Sequence, residues 1–207
     1  MPRAFTEQEQ EQIHDRLLEV GGELFARYGL KKTNIGDLTE PLGIAKSSFY
    51  RFYDSKEALY AELLMRRFPA MIDRLMAVSF EATDDIREAI VRYLKALVDL
   101  IETDELARTL LVEPQTVAQL MAKQNFKDLQ EQSGPLLEPL YRVFREAQSA
   151  GKMVEDDPQV LVQVLELITV LPLYKQGIDP AKYPALLDTV TRVIADGLTC
   201  PARRNHR

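Results

Sequence analysis

Thr33-Asn34-Ile35-Gly36-Asp37-Leu38-Thr39-Glu40-Pro41-Leu42-Gly43-Ile44-Ala45-Lys46-Ser47-Ser48-Phe49-Tyr50-Arg51-Phe52 is the stretch on which the reading of this chain turns. Ile35 and Leu38 lie three apart, on one side of a short helix spanning about 35–42, and Asn34 is placed as its N-cap. A second short helix covers about 46–52. Gly43 lies between them and tolerates the positive φ that a tight turn demands. Two short helices joined in this way make a helix-turn-helix. Leu38, Ile44 and Phe49 are then the buried contacts that fix the two axes. Lys46, Ser47, Ser48 and Tyr50 are left near the exposed N-terminal half of the second helix, the part a recognition helix turns toward base edges in the major groove.

The surroundings of this stretch are helical throughout. Thr6-Glu7-Gln8-Glu9 is a capping box opening a first helix that carries Ile13, Leu17, Leu18, Val20, Leu24, Phe25 and Tyr28 and closes at Gly29. Asp54, three residues before Glu57, caps the next helix. From there the apolar spacing predicts helices over about 56–80, 84–102, 104–112, 115–149, 158–175 and 180–199. Pro69 kinks the first of these, and Pro135 and Pro139 break or bend the fourth. Asp157-Pro158 and Asp179-Pro180 each read as a cap followed by proline at the first helical position. Pro41 removes one backbone bond from the last turn of the 35–42 helix, which also holds Gly36, so that element depends on packing. The chain is all-α.

Composition narrows the function. Lys plus Arg is 26 against Asp plus Glu 32 in 207 residues, a net charge of −6, so bulk electrostatics repel nucleic acid. Residues 24–56 run the other way. Arg27, Lys31, Lys32, Lys46, Arg51 and Lys56 stand against Asp37, Glu40 and Asp54, a local +3 on a remainder of −9. Neutralising phosphates releases counterions, so a compact basic surface of this kind suits backbone contact with DNA. Ser47 and Ser48 are short donors and acceptors that allow close approach. Tyr50 suits a phosphate or a thymine methyl, and Lys46 a phosphate or a guanine edge. Thr33 and Lys56 lie at helix starts, where free N–H groups and the dipole favour an anion.

The run from Ile13 to Leu63 resembles the DNA-binding domain of the TetR (tetracycline-repressor-like) family. The resemblance needs no gap through Phe25-Ala26-Arg27-Tyr28-Gly29, Thr33-Asn34-Ile35, Asp37-Leu38, Gly43-Ile44, Lys46, Phe49-Tyr50-Arg51-Phe52-Tyr53 and Ser55-Lys56-Glu57-Ala58-Leu59. It implies a three-helix helix-turn-helix DNA-binding domain over residues 1–55 and a larger helical effector-binding and dimerisation domain over 56–200. Residues 201–207 are expected to be a frayed tail. The candidate DNA contacts are Thr33, Asn34, Lys46, Ser47, Ser48, Tyr50, Arg51 and Lys56. The expected partners are a double-stranded, pseudo-palindromic operator, a second copy of the chain, and an apolar small-molecule effector.

In the larger domain, helices 158–175 and 180–199 are apolar on more than one face, so they either meet a partner or form the central core of a monomer. The resemblance makes them the homodimer interface, with Leu161, Leu165, Ile168, Leu187, Val190 and Ile194 as candidates. Met65, Phe68, Tyr93, Leu97, Met121, Phe126, Tyr141, Phe144 and Tyr174 are large, adaptable side chains suited to an effector pocket, although many will be core.

Enzymatic chemistry finds little material. The Glu11-x-x-His14 spacing of bundle di-metal sites lacks a second copy, and the other histidine, His206, lies in the tail. Cys200 has no basic cluster to make it a reactive thiolate and cannot form an internal disulfide. No glycine-rich phosphate loop is present. The expectation is no enzyme, no cofactor and no metal. The polar, acidic start is not a signal peptide, and Val160–Tyr174 is shorter than a membrane span and contains Gln163 and Glu166. A cytoplasmic, ligand-released repressor is expected. An activator of the same architecture, or a helical interaction module that no longer binds DNA, is the alternative.

Overall fold

The computed structural model describes residues 6–112 and 137–199, and among these residues it contains helices and no strand. Among the described residues, 6–67 belong to one compact unit and 68–112 with 137–199 to a second. In the first, α1 (Glu7–Lys32) opens with the expected capping box: the Glu9 N–H donates to Thr6 Oγ1 at 3.2 Å, and the Thr6 N–H donates to Glu9 Oε2 at 2.8 Å. Helical geometry breaks at Gly29, whose φ of 74° and ψ of 163° lie in a region that glycine alone adopts readily. Leu17 and Phe25 are fully buried, and Phe25 meets Tyr60 edge-on with ring centroids 5.0 Å apart. Gly21 lets α1 and α4 (Lys56–Val78) approach closely, since a Cβ there would stand 3.0 Å from Leu59 Cδ2.

α4 is continuous through Pro69. Its first half, with Ala58, Leu59, Tyr60, Leu63 and Leu64 buried, belongs to the first unit. The compact unit thus runs through Arg67, with this stretch of α4 as a wall of its core.

In the second unit α5 (Ile86–Thr103) is capped by Asp85, which accepts from the Arg87 and Glu88 N–H groups, and α6 is Glu105–Val112. After the undescribed segment come α7 (Glu138–Ser149) and α8 (Pro158–Glu166), the latter capped by Asp157 accepting from the Gln159 N–H at 2.9 Å. α9 is Tyr183–Thr199. The Arg87–Asp196 ion pair, Lys95–Asp188 at 2.7 Å and Tyr183–Glu102 at 2.7 Å join α5 to α9 in antiparallel order. Ile90, Leu94, Leu97, Ile101, Leu140, Phe144, Leu161, Leu165 and Ile168 form the centre of one apolar core.

The predicted helix over 158–175 is divided. α-Helix ends at Glu166, and Leu167–Gly177 continues as a 3-10 segment. Pro172 within it has no N–H to give to an α-helical ladder, which favours a change of winding here. By length and composition Pro158–Gly177 could cross a membrane. Its buried Leu161, Leu165 and Ile168 instead belong to the core of the second unit.

Candidate nucleic-acid interface

α2 (Ile35–Thr39) is short, and the Asn34 N–H at its start donates to Asp37 Oδ2 at 2.9 Å. Pro41 does not extend it. The chain tightens into a 3-10 turn over Glu40–Leu42, which Gly43 ends with a φ of 64°. The Gly43 N–H donates to the Glu40 carbonyl at 3.0 Å, and the Ile44 N–H to that of Thr39 at 3.3 Å. The second helix of the motif, α3 (Lys46–Phe49), is shorter than the predicted 46–52, and its end is closed by the Phe52 N–H donating to the Phe49 carbonyl at 2.9 Å. Leu38 and Phe49 are fully buried.

This packing turns a set of polar groups outward. Lys46, Ser47 and Arg51 are exposed, Ser48 is half-buried, and Tyr50 is 57% exposed although its ring touches the buried Phe49 edge-on at 5.8 Å. A large aromatic so exposed beside a buried one is anchored at its base and open at its hydroxyl, as a base-edge or phosphate contact requires. The Lys46 side chain crosses Gly36, where an added Cβ would stand 2.7 Å from Lys46 Cε. Gly36 thus provides room for a basic arm at the junction of the two helices. Asn34 is exposed beside it.

Two predicted DNA contacts are placed otherwise. Thr33 is buried, and its hydroxyl donates to the Gly29 carbonyl at 3.0 Å, so it closes α1 and offers nothing to a phosphate. The Lys56 ammonium donates to the carbonyls of Leu30 and Thr33, each at 2.7 Å, and approaches that of Lys31 at 3.4 Å. It satisfies carbonyls left open at the end of α1, where the helix dipole also favours a cation. Its charge faces the protein.

A polar cluster that sequence reasoning missed lies behind the recognition helix. The Tyr53 hydroxyl is 2.9 Å from both Glu62 Oε2 and His14 Nε2, and the His14 and Tyr53 rings stack at 5.5 Å. Burial, followed by the hydrogen bond and charge of Glu62, pushes the Tyr53 phenol far above its ordinary range, so it stays a donor. Arg66 pairs with Glu62 at 2.9 Å. His14 thus makes a tertiary contact to Tyr53 and Glu62. The only sequence signal was its place on the otherwise apolar side of α1.

The predicted pocket residues divide. Phe68, Tyr93, Leu97, Tyr141 and Phe144 gather in the core cluster of the second unit. Met65 lies in the first unit, and Met121 and Phe126 lie outside the described residues. Tyr174 is 67% exposed and is a surface residue, because the 3-10 winding carries it away from the core. The predicted interface also needs correction. Leu161, Leu165 and Ile168 are at most 2% exposed and belong to the core of a single chain, while Leu187, Val190 and Ile194 are partly buried against it. The apolar side chains that remain exposed here are Val160, Leu167, Val170, Leu173, Tyr174 and Val193.

A short helix fixed by buried Leu38 and Phe49, with Lys46, Ser47 and Tyr50 exposed, completes a helix-turn-helix unit. Residues 17–63 match the family model for bacterial regulatory proteins of the tetR family. It is 28% identical to the HTH-type transcriptional repressor KstR2 of Rhodococcus jostii, over 42% of this chain and 52% of that protein. It is 30% identical to KstR2 of Mycolicibacterium smegmatis, over 44% and 54%. The chain thus spans about half the length of the curated relatives it matches. Among solved structures, a TetR-family regulator from Pectobacterium atrosepticum superposes with a TM-score of 0.70 at 21% identity, covering 95% of this chain and 98% of that one. RolR bound to resorcinol gives 0.64 at 18%, covering 94% and 98%. The ketosteroid regulator KstR2 of Mycobacterium tuberculosis gives 0.58 at 22%, covering 90% and 94%. These likenesses show the fold.

Proposed function

We propose that this chain is a sequence-specific transcriptional repressor that binds a pseudo-palindromic operator as a homodimer and is released by a small-molecule effector, acting in the cytoplasm. The observation that carries the reading is the recognition helix, with Lys46, Ser47 and Tyr50 exposed over a buried Phe49. The repressor relatives support the direction of regulation. DNA contacts are assigned to Asn34, Lys46, Ser47, Ser48, Tyr50 and Arg51.

Dimerisation is supported by the exposed apolar side chains, most of which fall on α8, the 3-10 segment and α9. Leu167, Val170 and Leu173 recur every three residues, the period of a 3-10 helix, and so form one stripe. A pseudo-palindromic operator asks such a homodimer for two recognition helices about one DNA turn apart, roughly 34–36 Å. The effector site is assigned to Phe68, Tyr93, Leu97, Tyr141 and Phe144, an aromatic-rich set suited to an apolar ligand. That a structural relative holds resorcinol supports a small-molecule effector of this kind.

Release requires the effector to bind the DNA-incompetent state more tightly, since a ligand moves an equilibrium only by its differential affinity. The test is selection of duplexes from a random DNA pool, followed by a screen for compounds that displace the enriched duplex. An inverted repeat and a displacing compound support the proposal. A compound that binds equally well with and without DNA contradicts release.

A further inference from the structure

The polar cluster behind the recognition helix has a proton count that fixes its arrangement. Tyr53 has one hydroxyl proton, and the carboxylate oxygen of Glu62 at 2.9 Å can only accept it. The hydroxyl oxygen is then left to accept from His14 Nε2 at 2.9 Å, so Nε2 carries a proton, which also points toward Glu62 Oε2 at 3.3 Å. Arg66 holds the other carboxylate oxygen of Glu62 at 2.9 Å, and the second ring nitrogen of His14 faces Asp15 at 3.7 Å. Three elements meet at one phenol: α1 through His14, α4 through Glu62 and Arg66, and the end of the recognition helix through Tyr53.

Tyr53 is also joined to the DNA-facing residues. Its N–H donates to the Phe49 carbonyl at 3.1 Å, its ring lies 5.8 Å from that of Phe49, and Phe49 in turn supports Tyr50. α3 has only four residues and cannot hold its own axis by backbone bonds alone. Ring packing sets its depth but leaves rotation about the Phe49–Tyr53 contact. The hydroxyl removes that freedom, because hydrogen bonds weaken steeply with angle.

We infer that His14, Tyr53 and Glu62 are positioning residues that set the orientation of the recognition helix, and so govern sequence discrimination more than the stability of the fold. The inference rests on the DNA-binding reading above. It makes the phenol of Tyr53 more than a core aromatic: phenylalanine would fill the same space and lose the lock.

The experiment uses the full chain as wild type, Tyr53→Phe, His14→Ala and His14→Gln. Affinity is measured at one salt concentration for the duplex that wild type enriches from a random pool and for a scrambled duplex of the same composition, alongside Tm. Loss of one well-placed base contact corresponds to roughly tenfold in affinity. Tyr53→Phe and His14→Ala should lose about that much on the enriched duplex, keep their scrambled-duplex affinity, and fall in Tm by a few degrees. His14→Gln, whose side-chain amide can donate where Nε2–H does, should recover most of the loss. An unchanged ratio of the two affinities overturns the inference, as does a parallel fall of both affinities with Tm. If His14→Ala does not fold, Tyr53→Phe decides, since it removes a single atom. If wild type enriches no duplex, the DNA-binding reading fails and the inference with it.

Discussion

Lys56 donates to two carbonyls at 2.7 Å at the end of α1, and replacing it with methionine keeps the aliphatic stem while leaving those carbonyls open. Hydrogen bonds from a charged donor contribute about 1.5–3 kcal/mol, so Lys56→Met should lower unfolding stability in urea by about that much. Binding to unrelated DNA should change little. A variant with unaltered stability and weakened binding to every duplex would return Lys56 to the phosphate role that its position at a helix start suggested. The same distinction explains why the residue scale was only partly legible. Sequence placed Lys46, Ser47 and Tyr50 outward by counting around a helix, and they are outward. It did not show that Thr33 and Lys56 close the end of α1: the Thr33 bond to the Gly29 carbonyl is local and was passed over for a helix-start role, whereas the Lys56 bonds reach carbonyls 23 and 26 residues earlier in the chain. His14 escaped for a similar reason, its partners being 39 and 48 residues away.

At the scale of elements, local backbone chemistry was the readable part. The Thr6 capping box, the Gly43 turn and the Asp157-Pro158 start stand where their residue types placed them, while Gly29 breaks α1 one turn before its end at Lys32. The two glycines should differ when replaced. Gly43 has the left-handed φ of 64° and ψ of 25° that asparagine also adopts, so Gly43→Asn should be mild and Gly43→Ala cost about 1–2 kcal/mol. Gly29 lies outside that region, so Gly29→Asn should be no better than Gly29→Ala, each costing about 1–3 kcal/mol. Urea midpoints read both; equal tolerance of asparagine at the two sites would contradict the assignment. The 3-10 segment was not legible, since its apolar pattern fits either winding and Pro172 alone does not choose between them. Lys175 and Tyr183 clasp Glu102, each at 2.7 Å, and secure the segment to α5 and α9. Burial raises the Glu102 carboxyl, but the bonds from Lys175 and Tyr183 and the Lys175 charge outweigh it and hold it below its ordinary value. A depressed folded-state value gives stability that is present above the unfolded-state value and lost as pH falls through the folded one. Wild type should therefore exceed Glu102→Gln in stability at neutral pH, with the difference closing in acid; a pH-independent difference would contradict the clasp.

For the whole molecule, a helix-turn-helix unit followed by a larger helical unit is the expectation that the segment 33–52 and the length of chain beyond it support. Sequence left two fates for the apolar residues of the last helices, a partner's surface or the chain's own core. Leu161, Leu165 and Ile168 have the same composition and spacing as an interface, and only packing shows them spent on the core. If Leu167, Leu173 and Val193 face a second copy, Leu167→Glu with Val193→Glu should yield a folded monomer by sedimentation, with operator affinity reduced at least about tenfold. A variant that remains dimeric would place the interface elsewhere. Whether α3 reads DNA sequence is decided by parallel selection from a random duplex pool, at one moderate salt concentration, by wild type and by the Ser48→Ala, Tyr50→Ala double variant. Wild type should enrich an inverted repeat with half-sites about one turn apart, and the variant should enrich none. The same motif from both proteins, or no motif from wild type, would contradict a recognition role for α3.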